Sequence, residues 1–152
     1  MKLSKESQYG LSGLVYLAKQ PKGAILQIGH VAEGADLPPA FLAKIFKKLA
    51  NHGLLRSYKG GVERGYSFQK FPSEISVKEI LEAIEGPDLF QRCVFWSDRC
   101  SDVNPCILHE VWKTIRPTVS KRLEQLSLKN IIDQESQLSS ALSASRRSAR
   151  RM

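Results

Sequence analysis

All three cysteines of the 152-residue chain fall within fourteen positions, as Cys93, Cys100 and Cys106 in a C-x6-C-x5-C spacing, with His109 three positions after the last. An odd number of cysteines grouped this tightly is a poor disulfide framework. Three thiolates and one imidazole make a four-donor set that suits zinc or an iron–sulfur cluster. The gaps are wider than the knuckles of common zinc sites, and wide spans of this kind can wrap a larger inorganic core. Asn104-Pro105-Cys106 is expected to open a helix, whose dipole and unpaired N–H groups favour thiolate over thiol. His109 then stands one turn on, on the same side as Cys106. The competing reading is three ordinary thiols beside a surface histidine.

The elements that must hold this set follow from periodicity. Leu11, Leu14, Val15 and Ala18 fall at helical spacing, so a first helix is expected over 4–19, capped by Ser4 or Ser7 and stopped before Pro21. Ile28, Val31, Ala32 and Ala35 repeat the pattern. Pro38 and Pro39 fit a helix first turn, followed by the stripe Leu42, Ile45, Phe46 and Leu49 and a left-handed cap at Gly53. Two β-like runs, Leu54–Tyr58 and Tyr66–Phe68, flank a Gly-rich loop and read as a hairpin. Three short helices followed by a hairpin make a winged helix-turn-helix.

Beyond the wing, Ser76-Val77-Lys78-Glu79 is a capping box for a fourth helix ended by Gly86-Pro87. The cysteine loop comes next, and then a long amphipathic helix with Leu108, Trp112, Ile115, Val119, Leu123 and Leu126 on one stripe. Pro117 lies inside that helix, where a kink is expected. A stripe outside the head has no core of its own to cover, so a second copy of the chain is the expected partner. The class is therefore mainly α with a small β-hairpin wing: a winged helix-turn-helix plus a long C-terminal dimerisation helix. The expected division is a DNA-binding domain over 1–72, and dimerisation helices with the cluster-binding loop 90–106 over 73–133. A disordered Ser/Arg-rich tail over 134–152 completes it.

Charge points to the partner. The formal net charge is +8, and it is uneven: residues 1–65 carry a net +6, residues 66–133 a net −1 and the last nineteen a net +3. A basic head on a near-neutral module suits a polyanion. The third helix turns Ala40, Phe41, Ala43, Lys44, Lys47 and Lys48 outward, as a helix entering a major groove does. Lys59 and Arg64 flank the glycines of the hairpin tip, within reach of a phosphate or minor groove. No run of about 18 apolar residues exists, so no transmembrane helix is expected. The start, Met-Lys-Leu-Ser-Lys-Glu, lacks the apolar core of a secretion signal. Nothing resembles a nucleophile–base pair or a small-molecule substrate pocket, so an enzyme is not expected.

With these residues on the page, the chain resembles the Rrf2 family of bacterial winged-helix regulators, in its iron–sulfur-binding, IscR- and NsrR-like branch. The likeness covers roughly residues 1–133. It rests on Met1-Lys2-Leu3-Ser4 with Tyr9, on the helix Phe41-Leu42-Ala43-Lys44-Ile45-Phe46-Lys47-Lys48-Leu49, and on Gly53-Leu54-Leu55. The wing Lys59-Gly60-Gly61…Gly65-Tyr66 and the run Cys93…Cys100…Cys106-Ile107-Leu108-His109-Glu110-Val111-Trp112 complete it. The resemblance implies a cytoplasmic homodimeric regulator, most often a repressor, on a palindromic double-stranded operator. It also implies a cluster sensing iron status, redox or nitric oxide, held by the three cysteines and a fourth, variable ligand. Pro38, Ala40, Phe41, Ala43 and Lys44 would face bases, Lys47 and Lys48 phosphates, and Lys59 the minor groove, with Lys2 and Arg64 as further DNA contacts. Two departures stand out. The first cysteine gap is six where the family usually has five. Gln8 occupies the place where NsrR-like members supply an aspartate from the partner, with Glu6 close by. His109 matches the histidine of IscR-like members, which favours His109 as fourth ligand and a 2Fe–2S over a 4Fe–4S cluster. Ala43 stands where a glutamate discriminates operators, so that discrimination does not carry over. The alternatives are a small iron–sulfur electron-transfer protein and a zinc-binding structural regulator.

Overall fold

The computed structural model describes residues 2–94 and 101–150, the last with backbone only at 142, 143, 146, 149 and 150. Among them are six helices and one hairpin: α1 (Lys5–Ala18), α2 (Ile28–Ala35), α3 (Pro39–Asn51), β1 (Leu55–Lys59), β2 (Arg64–Phe68), α4 (Val77–Glu85), α5 (His109–Gln125) and α6 (Leu128–Arg150). Asp36 turns the chain between α2 and α3 in the left-handed region, at φ 55°, a conformation an aspartate tolerates better than most residues. The Leu37 N–H then donates back to the Ala32 carbonyl at 2.8 Å and closes the turn. The α3 stripe is the buried one: Leu42, Ile45, Phe46 and Leu49 are fully enclosed.

The hairpin is antiparallel, with Leu55 opposite Phe68 and Lys59 opposite Arg64. It is one residue longer at the tip than expected on β1 and begins two residues earlier on β2, so Lys59 and Arg64 form its last rung. Gly65, at φ 132°, brings β2 against the 24–27 segment, where Tyr66 and Leu26 exchange both backbone hydrogen bonds. A side chain at 65 would meet the Leu26 carbonyl oxygen 2.1 Å away.

Three expectations need correction. The long helix does not begin at Asn104-Pro105: α5 starts at His109, after Leu108 at φ −101°, ψ 9°, and Cys106 lies ahead of it. The helix dipole therefore does not act on Cys106 as a first-turn residue. Nor does the apolar stripe run unbroken to a partner. Leu126 is extended and ends α5; its carbonyl accepts from Val77 N–H at 2.8 Å, and Leu128 N–H donates to Ile75 at 2.9 Å. Val119, Leu123 and Leu126 consequently pack on Val77, Leu81, Leu89 and Phe90 of the same chain. Finally, residues from 134 on, expected to be disordered, continue α6 to Arg150. Ser127 and Asn130 cap that helix reciprocally, and Ala, Leu and Arg sustain it once started.

One core crosses the expected boundary at residue 72. Leu14, Val31, Leu42, Ile45, Phe46 and Leu49 of the head are continuous with Ile75, Ile80 and Ile84, and with Leu128 from the start of α6. The capping box is present, with Ser76 and Glu79 satisfying each other's backbone N–H.

At the other end of α4, Glu85 Oε1 accepts from the Ser4 N–H, the Ser4 hydroxyl and the Ser7 hydroxyl, at 2.6–2.7 Å. The serine expected as an α1 cap is thus turned toward α4. Burial pushes the Glu85 carboxyl up, but these hydrogen bonds, aided by the nearby Arg92 cation, outweigh it and hold the pKa below the ordinary 4.5. A carboxylate depressed in the folded state adds stability above its unfolded pKa and loses it as pH falls through the folded value. Thermal melts should therefore show the midpoint dropping below about pH 4.5. Glu79 acts with the same sign. Glu85→Gln should lower the midpoint at pH 7 and flatten the acid limb; a variant curve parallel to wild type would count against this role.

Candidate functional site

Cys93 follows the 3-10 turn Leu89–Gln91, and Cys106 precedes α5. The two residues retain 7% and 9% of their exposure, and their sulfurs lie 3.4 Å apart. The backbone on the Cys93 side is tied down by its neighbour: Arg92 Nη2 donates to the Glu85 carbonyl at 2.6 Å and to Asp88 Oδ1 at 2.7 Å, while its own carbonyl accepts from the Trp112 indole at 3.2 Å. On the other side the Cys106 carbonyl accepts the His109 N–H at 3.0 Å. Cys100, the remaining expected ligand, lies outside the described residues.

His109 is buried at 5% exposure, and its Nε2 stands 2.7 Å from Asp102 Oδ1. Lys113 Nζ donates to that same oxygen at 2.8 Å. The Lys113 ammonium and the His109 ring together pull the Asp102 carboxyl down to about 2. An ionised carboxylate can only accept, so Nε2 carries the proton and, in the neutral ring, Nδ1 carries the lone pair. A metal-binding histidine has this arrangement, with a carboxylate holding the opposite nitrogen. Among the described residues, the ligand atoms of Asp102, His109 and Glu110 lie within 4.8 Å of one another, a set that includes neither thiol. The structure thus joins Cys93 to Cys106, and His109 to two carboxylates that sequence reasoning missed. Asp102 lies seven positions before His109, on a loop with no periodicity to announce the pairing.

The other candidate fourth ligands are placed differently. Glu6 is engaged by Lys48 at 2.8 Å, and Gln8 is exposed on α1. Lys48, expected to face phosphate, is also tied to its own chain. It is half-buried, and its ammonium bridges Glu6 of α1 and the Ile84 carbonyl of α4. Lys2, Pro38, Ala40, Lys44, Lys47, Lys59 and Arg64 are exposed, and Ala43 is half-buried. Phe41 is 53% exposed at the start of α3, its ring edge-on to Tyr9. Lys59 and Arg64 face each other across the last rung of the wing, where like charges repel unless an anion lies between. The exposed apolar residues Ile107, Leu108, Val111 and Ile115 gather at the start of α5. No helix among the described residues is long and apolar enough to cross a membrane.

A helix-turn-helix with an exposed, basic third helix and a cationic wing defines the class: a winged-helix DNA-binding transcriptional regulator. The family model "Iron-dependent Transcriptional regulator" matches residues 3–134, and the chain belongs to that family, Rrf2. It is 28% identical over 137 residues to an HTH-type transcriptional regulator of Aquifex aeolicus, covering 89% of this chain and 94% of the relative. To the HTH-type transcriptional regulator IscR of Photorhabdus laumondii it is 23% identical over 135 residues, covering 89% and 81%. Among solved structures it is similar to CymR, the global cysteine regulator of B. subtilis, at 25% identity and a TM-score of 0.70, covering 88% of this chain and 98% of that one. T. potens IscR shares the fold, with a TM-score of 0.67 at 20% identity, covering 89% and 88%.

Proposed function

We propose that the chain is a homodimeric repressor whose hold on a palindromic operator is governed by an iron–sulfur cluster, 2Fe–2S rather than 4Fe–4S, on Cys93, Cys100, Cys106 and His109. The observation that carries this is the pair of buried thiols 3.4 Å apart; His109, three positions after Cys106, is buried and has its Nε2 held by a carboxylate. Soft thiolate donors that are more than nine-tenths buried fit such a group. When bound, it supplies one-electron exchange and reactivity toward oxidants or nitric oxide.

The chain's own contacts connect the backbone at Cys93 to the DNA-reading helix. Arg92, next to Cys93, grips the last turn of α4 at the Glu85 carbonyl. The Glu85 carboxylate holds Ser4 and Ser7 at the start of α1, and Glu6, between them, holds Lys48 of α3. A change in the position of Cys93 therefore reaches α3 through three ion-supported joints. The exposed apolar residues Ile107, Leu108, Val111 and Ile115 at the start of α5 supply the surface for a second copy. The rung of Lys59 and Arg64 gains an anion when a phosphate lies across it.

Anaerobic purification with absorption and Mössbauer spectra tests the cluster; zinc bound in place of iron and sulfide would replace this reading with a structural zinc site. Footprinting should reveal an inverted repeat with half-sites about one helical turn, or a small multiple, apart. Each neutralised phosphate should add about −0.9 to the log–log salt slope. Lys47→Ala should reduce that slope by about 1, and Lys44→Ala should relax sequence preference, both without loss of stability. Lys48→Ala should leave the slope nearly unchanged and lower stability by about 1 kcal/mol, since an amine shared by a carboxylate and a carbonyl is lost. A salt-insensitive complex, or a monomer in sedimentation at micromolar concentration, would overturn the proposal.

A further inference from the structure

We infer that Cys93 and Cys106 form a disulfide within the chain when a hydroperoxide reaches them with no inorganic group bound, so that the loop contains a thiol switch of its own. The two sulfurs are already in contact at 3.4 Å, and both residues are more than nine-tenths buried. A disulfide is about 2.05 Å long, so the sulfurs need to approach by about 1.4 Å, a distance that small rotations about the two Cα–Cβ bonds can cover. Arg92 is held by the end of α4 and by the Trp112 indole, and the Cys106 carbonyl is held by the first residue of α5. Two thiols kept at contact by rigid neighbours react as though at very high concentration.

The oxidant is a hydroperoxide. One cysteine thiolate attacks its terminal oxygen; the O–O bond breaks and an alcohol or water leaves, giving a sulfenic acid. The second thiolate attacks that sulfur, the S–O bond breaks, and water leaves as the S–S bond forms. Two thiol protons and two electrons pass to the peroxide oxygens, so the balance is two thiols and one hydroperoxide in, one disulfide, one alcohol and one water out. The bond closes a loop over residues 94–105 and removes two donors at once. Rebuilding the donor set then waits for a reducing thiol, and the protein keeps a record of oxidation after the group has gone. This deepens the proposed function by stating what the emptied donor set does. The sulfur pairing itself would stand with zinc in place of a cluster.

The test uses the full chain, stripped by a chelator under argon and reduced. It is then treated with one equivalent of hydrogen peroxide, alkylated with iodoacetamide and digested without reductant for mass spectrometry. The expected product is one linked peptide pair, Cys93 with Cys106, in most molecules, with Cys100 alkylated and the link reversed by dithiothreitol. Cys100→Ser should give the same link in the same yield. Iron and sulfide uptake by the linked protein should fall at least tenfold until dithiothreitol is added. A main product that joins Cys100 to either partner, or sulfinic acids without any link, would overturn the inference. Mössbauer spectra of the untreated protein read the cluster separately, so failure of one does not mimic failure of the other.

Discussion

Cys93→Ala and Cys106→Ala should each abolish cluster assembly while leaving the DNA-binding head folded. With the proposed cluster, either change would leave iron with an open, water-accessible position in place of a thiolate. The visible absorbance of the anaerobically purified protein should vanish, and operator affinity should equal that of chelator-stripped wild type rather than of the holo-protein. The stability cost is small, about 1 kcal/mol for a buried side chain shortened by one heavy atom. Far-UV circular dichroism should therefore be unchanged. His109→Ala should be milder, giving a labile cluster with a shifted spectrum and potential. It removes a neutral donor, and it leaves Asp102 paired with Lys113 alone. An unchanged spectrum and oxygen stability in His109→Ala would move the fourth ligand elsewhere. Glu6 would then have to release Lys48, whereas Gln8 is exposed. A coloured, stable Cys106→Ala protein would defeat the assignment altogether.

Gly65→Ala should be the most damaging single substitution in the head. The residue sits at φ 132°, and its added carbon would lie 2.1 Å from the Leu26 carbonyl oxygen and 2.8 Å from the Gln27 nitrogen. Both are backbone atoms, so no side chain can rotate away. Strain at a positive φ and overpacking each cost about 1–3 kcal/mol, which together give roughly 3–5. The melting temperature should fall by roughly 10 °C for a chain of this size. Separating β2 from the 24–27 segment breaks the two Leu26–Tyr66 hydrogen bonds and frees the wing. Operator affinity should then drop even below the melting point. A variant melting within about 2 °C of wild type would show that the turn can relax, contrary to this account.

The head was legible because its signals are local. The stripe of α3, the capping box at Ser76 and the cap at Gly53 each depend on residues within one or two turns, and periodicity registers them. The joints between elements were not legible. Lys48 belongs by spacing to the outward face of α3, but its ammonium finds Glu6 forty-two positions away, together with an α4 carbonyl. Ser4 looks like a cap and is spent on Glu85. The α5 stripe was readable as apolar, but which half is covered within the chain depends on where α4 lies, and no local pattern encodes that. Of the donor set, the thiols were visible from composition and spacing. The carboxylate behind His109 was not, because Asp102 sits on an aperiodic loop brought round by the fold.

Leu128 is fully buried in the core of a head whose other members begin at Leu14. During synthesis, that core stays open on one side until residue 128 has left the ribosome, at about 5–20 residues per second. The head is thus contiguous in space but divided along the chain, with the cysteine loop threaded between its two portions. A recognition head grafted onto another regulator would have to bring Ile75 to Leu128 with it, including the cysteine loop. In this fold, the part that reads DNA cannot be assembled before the part that carries the cysteines.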